Sequence, residues 1–123
     1  MRFRAEQHLR RQGDIRAVRE QGRRLECRAF TLWYKRRETP VSGGGPGARI
    51  CVIASTAAVG AATRRNRARR RLREVFRQHQ DAVPAGCDLL LIARAATIDW
   101  PLAELGEKFT EACRQIPPIP DQA

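Results

Sequence analysis

The densest chemistry in the chain lies in fourteen residues, Arg64-Arg65-Asn66-Arg67-Ala68-Arg69-Arg70-Arg71-Leu72-Arg73-Glu74-Val75-Phe76-Arg77, of which eight are arginine. A guanidinium binds phosphate through paired donors and stacks on bases. Ala68, Leu72, Val75 and Phe76 fall at i, i+4, i+7 and i+8, the apolar stripe of an amphipathic helix. On that helix Arg65, Arg69 and Arg73 share one flank of the stripe, and Arg70 and Arg77 point away from the core. Arg67 and Arg71 take the other side, with Glu74 in reach for a weak pair. Crowded like charges oppose folding by about 0.2–0.5 kcal/mol for each i, i+4 pair. A polyanion turns that repulsion into affinity that weakens with salt. Asn66 is uncharged and near the helix start; it can cap the helix, or pair with a base edge or a ribose.

The rest of the chain sharpens this charge pattern. Its 123 residues hold 24 Lys+Arg against 13 Asp+Glu, a net charge of +11. Lys35 and Lys108 are the only lysines; the other basic residues are Arg. Residues 1–80 hold 21 basic and 6 acidic residues, and residues 81–123 hold 3 and 7. Arginine codon preference explains Arg over Lys but not this split, which points to a polyanion bound by one part of a folded domain. Hydrophobic residues at 42% fit a folded globule rather than a basic tail. No apolar run approaches the roughly 18 residues of a membrane span. Met1-Arg2-Phe3-Arg4 opens on no apolar signal core, so a cytoplasmic location is expected, with no membrane partner.

A nuclease needs clustered carboxylates for metal, or paired His and Lys for metal-free cleavage. Here the carboxylates are scattered and lie mostly outside the basic half. His8 and His79 are far apart in polar surroundings and read as surface residues. Cys27, Cys51, Cys87 and Cys113 have no CxxC or zinc spacing. They read as small buried hydrophobes of a reducing compartment, although their even number is compatible with disulfides.

The elements that must position the basic run follow from periodicity. Residues 1–13 read as a basic extended arm. Asp14 to Gln21 form a short helix, started by Gly13 or Asp14 and ended by Gly22. Arg24 to Arg37 favour strand, but Leu25 and Cys27 have one parity and Phe30, Leu32 and Tyr34 the other. A bulge or break near Arg28-Ala29 therefore gives two short strands or one bent one. Residues 38–48 are a Gly/Pro loop, and Arg49 to Ser55 a buried strand expected to pair antiparallel with the preceding run. Thr56 to Ala62 form a turn into the basic helix, Thr63 to Gln80, which Pro84 and Gly86 stop. Cys87 to Ala93 is a strand covered on both faces. Asp99 caps a last helix with Pro101 in its first turn and a stripe of Leu102, Leu105, Phe109, Ala112, Cys113 and Ile116. Residues 117–123 fray. The expected fold is one domain over 1–123, an α/β (α+β) sandwich with a small mixed sheet in the order α-β-β-(β)-α-β-α.

These residues resemble a known family. Arg65-Asn66-Arg67, then Arg69-Arg70 and Arg73-Glu74-x-Phe76-Arg77, look like the RNR signature helix of the protein subunit of bacterial ribonuclease P. Leu9-Arg10-Arg11, the helix ending at Gly22, Arg28-Ala29-Phe30, Val59-Gly60 and Leu91-Ile92-Ala93-Arg94 also fall where that family has counterparts. The resemblance implies a left-handed βαβ crossover around the signature helix, against the usual right-handed rule. It implies a protein that joins a catalytic RNA subunit and assists endonucleolytic removal of the 5′ leader from precursor tRNA. The catalytic groups would then lie on the RNA, and Mg2+ would be held mainly by the RNA and the substrate. By the same resemblance Arg64, Arg65, Asn66, Arg67, Arg69, Arg70, Arg73 and Arg77 would meet RNA. Ile15, Arg19, Phe30 and Trp33 would line a cleft for the single-stranded leader. The chain departs from the family pattern at Thr56-Ala57-Ala58, where Ser-Lys-Lys is usual, at Ala61, and at Ile15 and Arg19, which replace aromatic residues.

The main alternative is a structural ribosomal or RNA-assembly protein, which shares size and charge but gives no reason for the flanking patterns. A DNA-binding helix-turn-helix fits less well, because apolar strands flank the basic helix, and no DNA partner is expected. An amphipathic membrane helix fails because the core needs its apolar face.

Overall fold

The computed structural model describes Leu9 and residues 11–36, 48–84 and 86–117. Within them the helices are α1 (Gln12–Gln21), α2 (Thr56–Val59), α3 (Ala62–His79), α4 (Ala96–Asp99) and α5 (Leu102–Gln115). The strands are β1 (Arg23–Glu26), β2 (Phe30–Arg36), β3 (Arg49–Ile53) and β4 (Cys87–Ala93).

The four strands form one mixed sheet in the order β1-β2-β4-β3. β1 and β2 make an antiparallel hairpin, and β2 runs antiparallel to β4 from Phe30↔Ala93 to Arg36↔Cys87. β3 and β4 are parallel, and α3 lies in the connection between them. This corrects the expectation that β2 and β3 pair with each other. β4, which comes later in the chain, sits between them and takes the partner edge of both. Its unbroken run Cys87-Asp88-Leu89-Leu90-Leu91-Ile92-Ala93 suits that central place, since both of its faces are covered.

Alternation along the strands divides the core. Phe30 and Leu32 of β2, Ile50 and Val52 of β3, and Leu89 and Leu91 of β4 pack with α3 and α5. There Phe76 of α3 meets Phe109 of α5 edge to face, with ring centroids 6.5 Å apart. On the opposite face Leu90 is buried with Leu9 and Val18, and Ile15, Trp33, Cys51, Ile53 and Ile92 pack around them. Leu9 donates its N–H to the Ile50 carbonyl at 2.7 Å, so part of the expected N-terminal arm is docked.

The break near Arg28-Ala29 is the hairpin turn. Cys27 N–H donates to the Phe30 carbonyl at 3.0 Å, Ala29 N–H donates to the Cys27 carbonyl at 2.7 Å, and Arg28 has φ 65°. The turn is held from outside as well. Thr97 Oγ1 donates to the Ala29 carbonyl at 2.7 Å and Arg94 Nη1 to the Arg28 carbonyl at 3.2 Å. Arg94 also reaches Glu26 at 2.7 Å and Thr31 Oγ1 at 2.8 Å.

Several helix boundaries differ from expectation. α1 begins two residues earlier, after Arg11, so neither Gly13 nor Asp14 is its cap. Gly22 ends it: a Cβ there would collide with the carbonyl oxygens of Val18 and Tyr34, so only glycine lets the helix end rest on β2. The expected turn at 56–62 contains α2, capped by Ser55 Oγ accepting from Ala58 N–H at 3.1 Å. Asp99 ends α4 instead of capping α5, whose cap position is Pro101. His79 is not a simple surface residue. Its ring lies against Gly106 of α5, where a Cβ would sit 3.1 Å from the ring Cδ2. The loop expected at 38–48 lies outside the described residues except for buried Ala48, and the frayed end lies outside them except for Pro117.

Candidate RNA interface

Helix α3 is fixed by Ala68, Leu72, Val75 and Phe76, all fully buried as the stripe requires. Its arginines are therefore held on a rigid element, but they do not all face solvent alike. Arg71 is turned inward. Its Nε donates to the Thr97 carbonyl at 2.9 Å, and its Nη2 reaches the Trp100 carbonyl. Arg64 Nε donates to the Val59 carbonyl at 3.1 Å and ties α3 to the end of α2 across Gly60, at φ 108°. Arg77 makes a two-point pair with Glu74, at 2.7 and 2.6 Å. Glu74 was expected to meet Arg67 or Arg71; the i, i+3 geometry gives it Arg77 instead. That pair holds the Glu74 carboxyl below its ordinary range and raises Arg77.

The remaining residues of the run form the free cationic face. Among the described residues Arg67, Arg70 and Arg73 make no side-chain hydrogen bond or ion pair, and Arg65 Nε is shielded from solvent without an acceptor. A shielded guanidinium donor with no acceptor favours an incoming anion. Asn66 is not the cap of α3, because the helix starts at Ala62 after Ala61. Its Oδ1 accepts from Arg69 Nη2 at 2.5 Å. That bond points the Arg69 guanidinium along the helix flank and leaves the Asn66 side chain exposed.

The cleft residues divide. Ile15 and Trp33 come together beside buried Val18 and Leu90, between α1 and the sheet. Arg19 of α1 places its guanidinium carbon 5.9 Å from the centroid of the Trp33 ring, a cation–π arrangement. Phe30 is not with them. It is three residues from Trp33 on one strand, so its side chain leaves the other face, where it is 0% exposed beneath α3 and α5. It supports the sheet rather than lining the cleft.

Sequence reasoning missed three residues around this face. Cys51 of β3 is half-buried on the α1 side, and burial raises its thiol despite the opposing charge of Arg73. Arg49 forks onto Asp88, 5% exposed, at 2.8 and 2.7 Å, and lies 3.7 Å from Asp14 of α1. That cluster fastens α1 to the sheet at one end of the cleft. An Arg before an apolar strand and an Asp within one were the available signals.

Cys27, Cys87, Cys113 and Cys51 are all free thiols, and the first three are buried. Among the described residues no group of three or more His, Cys, Asp or Glu is arranged to hold a metal ion. No helix among them is long and apolar enough to cross a membrane.

Residues 3–117 match the family model described as Ribonuclease P. The Ribonuclease P protein component of Oleidesulfovibrio alaskensis is 37% identical over 103 residues, covering 79% of this chain and 78% of the relative. That of Symbiobacterium thermophilum is 35% identical over 99 residues, with 79% of each chain covered. Among solved structures, the RNase P protein from Thermotoga maritima superposes with a TM-score of 0.74 at 23% identity, covering 89% of this chain and 97% of that one. A Staphylococcus aureus RNase P protein gives 0.71 at 18%, covering 88% and 93%. At these identities the structural matches are matches of fold.

Proposed function

Because the chain belongs to the ribonuclease P protein family, and so is a protein component of ribonuclease P that associates with its RNA, we propose how it divides its labour. Helix α3 binds the catalytic RNA through Arg65, Asn66, Arg67, Arg69, Arg70 and Arg73. The cleft of Ile15, Arg19 and Trp33 takes the 5′ leader of precursor tRNA. The chain assists removal of that leader while the groups that break the phosphodiester lie on the RNA.

The observation that carries this reading is the unequal fate of the α3 arginines. Arg64, Arg71 and Arg77 are engaged within the protein. Arg67, Arg70 and Arg73 are left without protein partners among the described residues, on a helix that the core holds rigid. A cationic row of this kind neutralises phosphates and contributes no acid or base suited to cleavage. The same row repels a divalent cation, so Mg2+ fits the RNA and the scissile phosphate better than this face. At the cleft, Arg19 over Trp33 offers a guanidinium toward a leader phosphate where relatives of the family offer a ring.

Reconstitution with the cognate RNA at low magnesium tests the reading. Added protein should accelerate cleavage of precursor tRNA; unchanged cleavage overturns it. Arg19→Ala with Trp33→Ala should weaken binding of precursor tRNA more than binding of leaderless tRNA. Equal loss for both substrates removes the cleft from the proposal.

A further inference from the structure

The sheet face that carries Trp33 continues past the cleft onto β1, the edge strand on the far side of β2 from β4. In the β1–β2 register Arg24 stands opposite Trp33, and Glu26 stands opposite Thr31. Cross-strand partners project from the same face with Cβ atoms about 4.5–5.5 Å apart, so the Arg24 stem rises beside the indole. Trp33 is therefore flanked by two guanidinium-bearing side chains, Arg19 from α1 and Arg24 from β1.

Beside Trp33 two guanidiniums converge on one oxygen. Glu26 Oε2 accepts from Arg24 Nη2 at 3.1 Å and from Arg94 Nη2 at 2.7 Å. Arg94 is also held without Glu26, by the Thr31 hydroxyl at 2.8 Å and the Arg28 carbonyl at 3.2 Å. A single anionic oxygen bridging two guanidiniums is an arrangement that a phosphate oxygen can take over. All three side chains are accessible, at 54% for Arg24, 47% for Glu26 and 38% for Arg94. Ion pairs this exposed are weak, so an incoming phosphate can displace the carboxylate into solvent at small cost.

We propose that Arg24 and Arg94 form a phosphate seat for the 5′ leader of precursor tRNA, next to Trp33, and that Glu26 fills this seat until the leader displaces it. The proposal rests on the reading of the Ile15, Arg19 and Trp33 cleft as the leader site. A single strand with a base against Trp33 and its backbone running toward β1 passes over the seat, the usual pairing of an aromatic platform with a cationic track. Helix α3 packs on the opposite face of the sheet, so the seat is separate from the arginine row of that helix.

The test uses holoenzyme reconstituted with the catalytic RNA and compares precursor tRNA with leaderless tRNA. Arg24→Ala should weaken binding of the precursor alone and flatten its salt slope by about 0.7, one single-strand phosphate. Glu26→Gln should do the opposite. It frees both guanidiniums, so the precursor should bind about two- to fivefold tighter at low salt, with a steeper slope. A Glu26 that only braces the hairpin predicts unchanged or weaker binding, and either result overturns the seat. Glu107→Gln removes the same charge from the exposed side of α5, on the other face of the sheet. Equal tightening by Glu107→Gln reduces the effect to net charge and overturns the seat. Equal changes for leaderless tRNA, or for the catalytic RNA alone, take the seat off the leader and overturn it too. Arg19→Ala with Trp33→Ala, measured alongside, separates the two readings. If that variant leaves leader binding intact while Arg24→Ala and Glu26→Gln behave as expected, the cleft fails and the seat stands; the reverse pattern overturns the seat alone.

Discussion

The Nε of Arg71 donates to the carbonyl oxygen of Thr97 at 2.9 Å, so an arginine in the middle of the most basic helix is occupied by the protein itself. Thr97 in turn donates through Oγ1 to Ala29, in the turn between β1 and β2. The arginine-rich helix is thereby tied through α4 to the hairpin. Arg71→Met should lower stability by about 1–3 kcal/mol, because two partly buried carbonyls lose their donor. The same variant should leave the salt slope of RNA binding unchanged. Arg69→Ala with Arg73→Ala should do the reverse and flatten the slope by about 0.9 for each lost duplex phosphate. Thermal melts beside salt titrations separate the two outcomes; a flattened slope for Arg71→Met would place its guanidinium on the RNA.

Arg28 adopts φ 65°, a left-handed conformation that side chains with a Cβ resist. Arg28→Gly and Arg28→Ala both delete the long side chain, and only the glycine accepts that backbone without strain. The glycine variant should be the more stable of the two by about 1 kcal/mol in denaturant melts. An alanine variant equal or superior to the glycine would show that the turn relaxes.

Gly22 lies against two backbone carbonyls that cannot move aside separately from α1 and β2. Gly22→Ala should lower stability by about 1–3 kcal/mol, the usual range for overpacking. Gly13, with nothing within 4 Å of a Cβ, is the control. Gly13→Ala should be neutral or slightly stabilising, because alanine is the better helix former. Circular dichroism melts of the pair read the difference directly, and equal melting points would remove the close approach.

Burial pushes the Cys27 and Cys113 thiols from 9.0 up to about 12. The unfolded chain therefore loses these protons at lower pH than the folded chain. Their contribution to stability is complete below pH 9.0 and declines as pH rises toward about 12. Melting points should fall over that window, and Cys27→Ala with Cys113→Ala should fall less steeply. In the folded protein at neutral pH, a thiol reagent should label half-buried Cys51 before the three buried cysteines. Faster labelling of Cys27 or Cys113 would contradict their burial.

Much of the fold was legible because it depends on local pattern. The stripe of Ala68, Leu72, Val75 and Phe76, the central strand 87–93 and the break at Arg28-Ala29 all appear where periodicity puts them. Strand partnership did not, because a Gly-rich loop between two apolar runs looks the same whether or not a third strand later enters between them. The cleft was legible in type but not in side. β2 is apolar on both faces, so residue type alone cannot tell that Phe30 and Trp33 point in opposite directions. Arg71 was equally opaque. A helical wheel shows which way it points, but not that the carbonyls of α4 wait there.

β4 is central in the sheet yet is made last of its strands. During synthesis, β2 and β3 emerge with no strand to lie between them, and the arginine-rich helix leaves the ribosome before its core can close. Every long-range strand pairing other than the β1–β2 hairpin waits for residues 87–93. A chain cut short before Cys87 would keep nearly all of the positive charge but lose the strand that joins β2 to β3. The intact protein should therefore acquire its arginine-bearing surface in one late step, when β4 enters the gap.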